Sequence, residues 1–437
     1  MSKVLFSATD VRPDLQQAAR ALYENSWLGA YYTTFALAEC GIPIRATELL
    51  DRQFGLGLAA QLRRRAIVEV PPGLVKLFPW WEIPRTLVSR ANLDQRLADA
   101  LFRRSITGFD RYVARRINGY SAVYAGNGAA YETFLAARKK NIPCIYSVRS
   151  FHPAFEDTAT LRELENFPIL RAPTDKSASK VRQLLMDRRG KEWAMSDLVI
   201  LNSKACRDSH EQYGLDVKKA CVIPLGFPEI GPPRTRRDSK GPLKILWAGN
   251  FSILKGAHYF IRAIQNIVGA LDIEIRIFGK GSLPVSAIKS PIDVRATIPK
   301  AELLQQYRWA DVLVHPTLAD GYGMAVAEAM SQGLPAITTD RAGISELIRP
   351  GETGLVVTAG DSAPLAAALC WCAENRESLG EMGHRARIAA SLWQWSHYRF
   401  ALNDAISGLM ERGRNTLETA SLKKRNRSPM ISPGKEA

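Results

Sequence analysis

The chain has 437 residues, more than one ordinary hydrophobic core holds, so two domains are expected. Its 46% apolar and 23% charged residues are those of a soluble globular protein, and no run of about eighteen apolar residues could cross a membrane. The formal charge of +16 asks for an anionic partner, but the basic clusters come without a helix-turn-helix, zinc-finger or aromatic-glycine RNA signature.

The opening Met1-Ser2-Lys3-Val4-Leu5-Phe6-Ser7 lacks the longer apolar core of a secretory signal and is expected to form a first strand. Further apolar runs ending in turn residues predict strands at 122–125, 143–148, 198–202 and 221–224. A second series predicts strands at 243–248, 273–278, 312–315, 336–339 and 354–357. Helical periodicity fills gaps between them at 131–140, 259–268 and 303–309. Near-continuous apolar strands alternating with helices predict an α/β protein with parallel sheets covered on both faces. The stretch 227–242, rich in proline, glycine and charge, lacks periodicity and divides the two sheets. Domains are therefore expected at 1–229 and 243–394, joined by a linker at 230–242. A helix is expected over 395–412, then a basic, disordered tail at 413–437 that includes Lys423-Lys424-Arg425.

The six cysteines are scattered and contain no CxxC pair, which predicts reduced thiols in a cytoplasmic protein. Cys370-Trp371-Cys372 has no partner pair at ligand spacing, so no metal site is expected.

In open parallel sheets ligands bind beyond the carboxyl ends of the strands. Three such exits in the second half carry unusual residues. The first is Trp247-Ala248-Gly249-Asn250, running on to Lys255-Gly256, where a glycine permits close approach and a lysine offers charge to an anion. The second is Gly279-Lys280-Gly281. In the third, His315-Pro316-Thr317 leads to Asp320-Gly321-Tyr322-Gly323-Met324-Ala325, and Glu328 follows eight residues after Asp320 on an apolar helix. Strand, glycine turn and helix bring free N–H groups and the positive end of a helix dipole to one point, a place for a phosphate beside carboxylates that can hold sugar hydroxyls.

These motifs, followed in order by Gly333-Leu334-Pro335 and Gly343-Ile344-Ser345-Glu346, resemble the donor domain of glycosyltransferase family 4, the retaining group 1 glycosyl transferases. The resemblance covers roughly residues 120–400, more loosely in its first part, where it rests on 194–203 and 221–226. It implies the GT-B fold: two Rossmann-like parallel-sheet domains facing a central cleft, with the carboxyl-terminal helix crossing back to the first domain. It also implies a retaining, metal-independent transfer of sugar from a nucleotide-diphosphate donor to a glycan or lipid-linked acceptor, with no cofactor. By the same resemblance, Lys255 neutralises the leaving diphosphate, and the amides of Gly323, Met324 and Ala325 cradle it. Asp320 holds hydroxyls of the transferred sugar, Glu328 those of the ribose, and the backbone around Ile298 meets the base.

The family's histidine in the acceptor domain corresponds to His152 in Ser150-Phe151-His152-Pro153, with Arg149 competing for the place. Two positions depart from the family: Asn250 stands where it has an arginine, and Asp320 where it has a glutamate. Its first glycine-rich loop is here Ala8-Thr9-Asp10-Val11-Arg12-Pro13. Basic and aromatic residues at 63–65 and 74–81 fit either an anionic membrane surface or a buried helix capped by Trp80-Trp81. A nucleotide-sugar epimerase or hydrolase of the same fold is one alternative, and a basic binding protein with a decayed donor site is another.

Overall fold

The structure is a computed structural model that describes residues 2–36, 65–90, 95–126, 128–170, 176–234, 241–281 and 292–425. Residues 63–64, the centre of the linker at 235–240 and the last residues of the tail at 426–437 lie outside the described residues.

Two parallel sheets are present among them. The first contains β1 (Val4–Ser7), β2 (Leu28–Thr33), β3 (Val75–Leu77), β4 (Ala122–Gly126), β5 (Cys144–Val148), β6 (Leu198–Leu201) and β7 (Ala220–Val222), in the order β3-β2-β1-β4-β5-β6-β7. The second contains β8 (Leu243–Ala248), β9 (Ile273–Phe278), β10 (Ile292–Arg295), β11 (Val312–His315), β12 (Ala336–Thr339) and β13 (Leu355–Val357), in the order β10-β9-β8-β11-β12-β13. Both orders reverse direction beside their first strand, so each sheet opens a crevice there at its carboxyl edge. The central strands β1, β4, β5, β6 and β11 are buried along their whole length, as apolar runs sheltered by helices on both faces must be.

Three strands are absent from the sequence reading. β2 carries a glycine and β3 is a three-residue edge. β10 reads Ile-Asp-Val-Arg, half polar, and none of its residues is buried. The edge strands β3 and β10 bury little, so their sequences carry little apolar signal, whereas β2 is buried between β3 and β1.

The chain passes between the domains twice, and the two passages lie side by side. Phe227 N–H donates to the Trp393 carbonyl at 2.9 Å, and Phe227 pairs with Gln394 in an isolated bridge. The closing helix then runs from Trp395 to Arg425, well past the expected boundary at 412. It packs on the helix Pro13–Glu24: Arg399 reaches Glu24 at 2.8 Å and Gln17 at 2.6 Å, and the Asn403 amide donates to the Ala21 carbonyl at 2.9 Å. Tyr398, Leu402 and Ile406 are buried beneath it.

Further bonds join the domains beside the cleft. The Glu346 carboxylate accepts from the N–H groups of Lys204 and Ala205 at 3.0 and 2.8 Å, capping the helix Lys204–Gln212 from the opposite domain. One oxygen of buried Glu163 meets His258 at 2.9 Å and Tyr259 at 2.7 Å.

Candidate active site

A cleft of about 460 Å³ separates the carboxyl edges of the two sheets. Its second-domain wall is formed by the exits of β8 and β11, including Gly249, Asn250, Lys255, His315 and Asp320, and by the head of the helix Met324–Ser331. Its first-domain wall carries Arg12, Asp14, Arg149 and Asn202 from the exits of β1, β5 and β6. Topology brings these loops together, because all of them leave the same edge of a parallel sheet.

The chemical centre is Asp320. Its Oδ2 accepts from Lys255 Nζ at 2.6 Å and from His315 Nε2 at 3.0 Å, while Oδ1 accepts from the Tyr322 N–H at 3.3 Å. Burial disfavours the charged carboxylate, but the Lys255 ammonium and the His315 bond outweigh it and hold the carboxyl well below the usual range. A fixed negative charge therefore stands beside a lysine that can turn toward an arriving anion.

The turn behind Asp320 is tightly held. A Cβ on Gly321 would collide with the Arg149 carbonyl across the domain interface, and the Gly321 carbonyl accepts from Ser203 Oγ at 2.9 Å. The Tyr322 hydroxyl donates to the Leu225 carbonyl at 2.5 Å, tying the same turn to the first domain. Gly323 has φ +101° at the helix N-cap, a conformation that favours glycine. No side chain caps the helix, so the amides of Met324 and Ala325 face the cleft and can accept an anion.

The first-domain wall is charged as well. Arg149 donates to Asp14 at 3.1 Å and approaches Asp10 at 3.5 Å. Burial works against its charge, but the two carboxylates prevail and push its pKa further up. Arg12 is paired with Asp10 at 3.1 Å and is largely exposed.

Of the expected site residues, Gly249, Asn250, Lys255, Asp320, Tyr322, Gly323, Met324 and Ala325 line this one cleft, and Gly321 lies in the turn between them. Glu328 does not line it: its carboxylate accepts from buried Tyr307 at 2.9 Å and pairs with Lys300 at 3.3 Å, one helical turn beyond the amides. Ile298 is half-buried against the core, also outside the cleft lining.

His152 does not join the cleft. It heads the helix Pro153–Asn166, accepts from the Ala154 N–H at 3.2 Å, and stacks on Tyr213 with ring centroids 4.6 Å apart. It borders a separate cavity of about 20 Å³ with Arg189 and His210. Burial, together with Arg189, pushes its pKa down. The competing Arg149 is the residue that faces the cleft.

His315, Asp14 and Asn202 had no role in the sequence reading. The available signal for His315 was a lone polar residue closing the apolar run Val312-Leu313-Val314. Among the described residues no group of histidine, cysteine, aspartate and glutamate could hold a metal ion, and no helix is long and apolar enough to cross a membrane.

Residues 242–375 match the family described as Glycosyl transferases group 1. That match spans most of the carboxyl-terminal domain. Similar curated proteins are D-inositol 3-phosphate glycosyltransferases. That of Nocardia farcinica is 33% identical over 242 residues, covering 50% of this chain and 54% of its own. That of Paenarthrobacter aurescens is 26% identical over 223 residues, covering 45% of this chain and 55% of its own. The chain thus spans about half the length of the curated relatives it matches.

Solved structures extend the likeness to the whole architecture. HepE of Anabaena in complex with UDP has a TM-score of 0.58 and 17% identity, over 93% of this chain and 100% of that one. Sucrose-phosphate synthase of Thermosynechococcus elongatus has a TM-score of 0.62 and 15% identity, over 94% and 100%. At these identities the likeness concerns the fold, which is GT-B: two Rossmann-like domains face each other across the cleft.

Proposed function

We propose that the chain is a retaining, metal-independent glycosyltransferase that moves a sugar from a nucleotide-diphosphate donor to a glycan or lipid-linked acceptor in polysaccharide or glycolipid biosynthesis. The observation that carries this reading is Lys255 and Asp320 sharing one cleft with the uncapped head of the helix Met324–Ser331. Structures of HepE, which shares the fold, in complex with UDP and with UDP-glucose support a nucleotide-sugar donor.

In this reading the diphosphate sits on the amides of Gly323, Met324 and Ala325, and Lys255 turns from Asp320 to neutralise it as the bond to the sugar breaks. Asp320 then holds sugar hydroxyls, kept ionised and oriented by His315. The acceptor hydroxyl enters on the face from which the diphosphate departs, and a phosphate oxygen takes its proton. Charge stabilisation on the leaving group is the catalytic work, and no protein nucleophile is needed.

A cytoplasmic protein peripheral to an anionic membrane fits a lipid-linked acceptor. Trp80 and Trp81 are exposed ahead of the helix Glu82–Arg90, and Leu87 is exposed on it. Arg103 and Arg104 are exposed on the neighbouring helix, with Arg104 over the Trp81 ring at 5.7 Å. Such a mixture suits a lipid headgroup layer.

The test is a thermal-shift screen of the full chain against nucleotides and nucleotide sugars. Selective stabilisation by one nucleoside diphosphate and its sugar is the expected result. No shift from any of them sinks the donor site, and nucleotide release indifferent to added acceptor turns the reading toward a hydrolase or epimerase.

A further inference from the structure

The donor-site reading leaves one phosphate charge unaccounted for, because Asn250 occupies the position where the resemblance implies an arginine beside Lys255. Resting on that reading, we propose that Arg12 supplies this charge from the opposite wall of the cleft.

Three cations line the cleft among the described residues: Lys255, Arg149 and Arg12. They are balanced by Asp320 and Asp14 in the lining and by Asp10 beside them. A diphosphate adds about two negative charges to this neutral set, so it is neutralised only if cations leave their carboxylates for it. Arg149 cannot do so readily. Its side chain is 15% exposed and is held between Asp14 at 3.1 Å and Asp10 at 3.5 Å.

Arg12 is free to move. Its side chain is 66% exposed, its carboxylate contact is with Asp10 at 3.1 Å, and as N-cap of the helix Pro13–Glu24 it makes no side-chain capping bond. The two exchanges are alike. When Lys255 turns to the phosphates, Asp320 retains the His315 bond, and when Arg12 turns, Asp10 retains Arg149. Neither move leaves a carboxylate without a partner, which would otherwise oppose it. A guanidinium also presents paired N–H donors that match phosphate oxygens, as the Asn250 amide does not.

The deciding measurement is calorimetric titration of the full chain with UDP, GDP and ADP, taking the diphosphate that binds as probe and its monophosphate as control. Arg12→Ala is expected to weaken the diphosphate about tenfold or more, with the monophosphate changed by less than about threefold. Arg12→Lys is expected to retain most of the affinity. Asn250→Arg placed in the Arg12→Ala chain is expected to restore most of the loss, since it refills the charge from the other wall. An unchanged unfolding midpoint for Arg12→Ala shows that the fold is not at issue. Diphosphate binding by Arg12→Ala equal to wild type overturns the assignment of Arg12 alone, and a wild-type chain that binds no diphosphate overturns the donor site and this assignment with it.

Discussion

Lys255 and Asp320, 65 residues apart in the chain, are joined by a 2.6 Å contact between the exits of two neighbouring strands. The pair places the cleft's lysine and a carboxylate held ionised by its partners on one spot, so each can be tested through the other. Lys255→Ala is expected to lower turnover by a factor on the order of 10² to 10³ while donor affinity falls much less. Steady-state rates beside titrated affinities check this, and equal losses in both would make the lysine a binding residue only.

The same pair sets a pH dependence. The Asp320 carboxyl is depressed below its ordinary value of 3.8, so its contribution to stability is fully present above that pH and is lost as pH falls below it toward the folded-state value. Urea unfolding should therefore show a constant gap between wild type and Asp320→Asn from about pH 5 to pH 8, narrowing below about pH 4. A gap that closes near neutrality would show that the carboxyl is not held down.

Glu328 holds the buried Tyr307 hydroxyl, and a proposed ribose role can be tested separately from that contact. Removing its carboxylate orphans the buried Tyr307 hydroxyl, and Glu328→Ala is expected to cost about 1–3 kcal/mol in chemical unfolding. Glu328→Gln keeps an acceptor for Tyr307, so a ribose role predicts weaker nucleotide binding at nearly unchanged stability. Tyr307→Phe should do the reverse, with binding within about threefold of wild type.

His152→Ala is expected to leave turnover within about threefold of wild type, because the ring lies outside the cleft. Its cost falls on stability, about 1 kcal/mol for the lost helix cap and the Tyr213 stack. A fall in kcat of a hundredfold with the fold intact would return the histidine to the reaction.

The closing helix is a structural clasp between the first and last parts of the chain. Leu402→Ala removes a fully buried side chain at its seam with the helix Pro13–Glu24 and is expected to cost about 2–4 kcal/mol. Truncation after Gln394 should cost more, by removing buried Tyr398, Leu402 and Ile406 together and exposing the face of the helix Pro13–Glu24 that the closing helix covers. Thermal unfolding with each domain followed separately tests whether the clasp also couples the domains.

By itself the sequence determined the α/β class, the second sheet and most of the second-domain wall of the cleft. Those features are local: apolar strands announce themselves by composition, and a loop that needs free amides needs glycine at a particular turn. The run from Asp320 to Ala325 is therefore legible without coordinates. Three things were decided only by tertiary structure. Asp320 owes its depressed carboxyl first to Lys255, which meets it only when β8 and β11 pair, and then to His315, five positions before it at the exit of β11. Arg12 and Arg149 enter the cleft because β1 and β5 end at the same sheet edge, which nothing in their own neighbourhoods reports. His152 leaves the cleft because the turn Ser150–Pro153 swings its ring onto Tyr213, a partner 61 positions along the chain. Backbone preference acts over a few residues and is written in them; electrostatic partners and cleft walls depend on which loops a sheet brings together, and that depends on the whole chain.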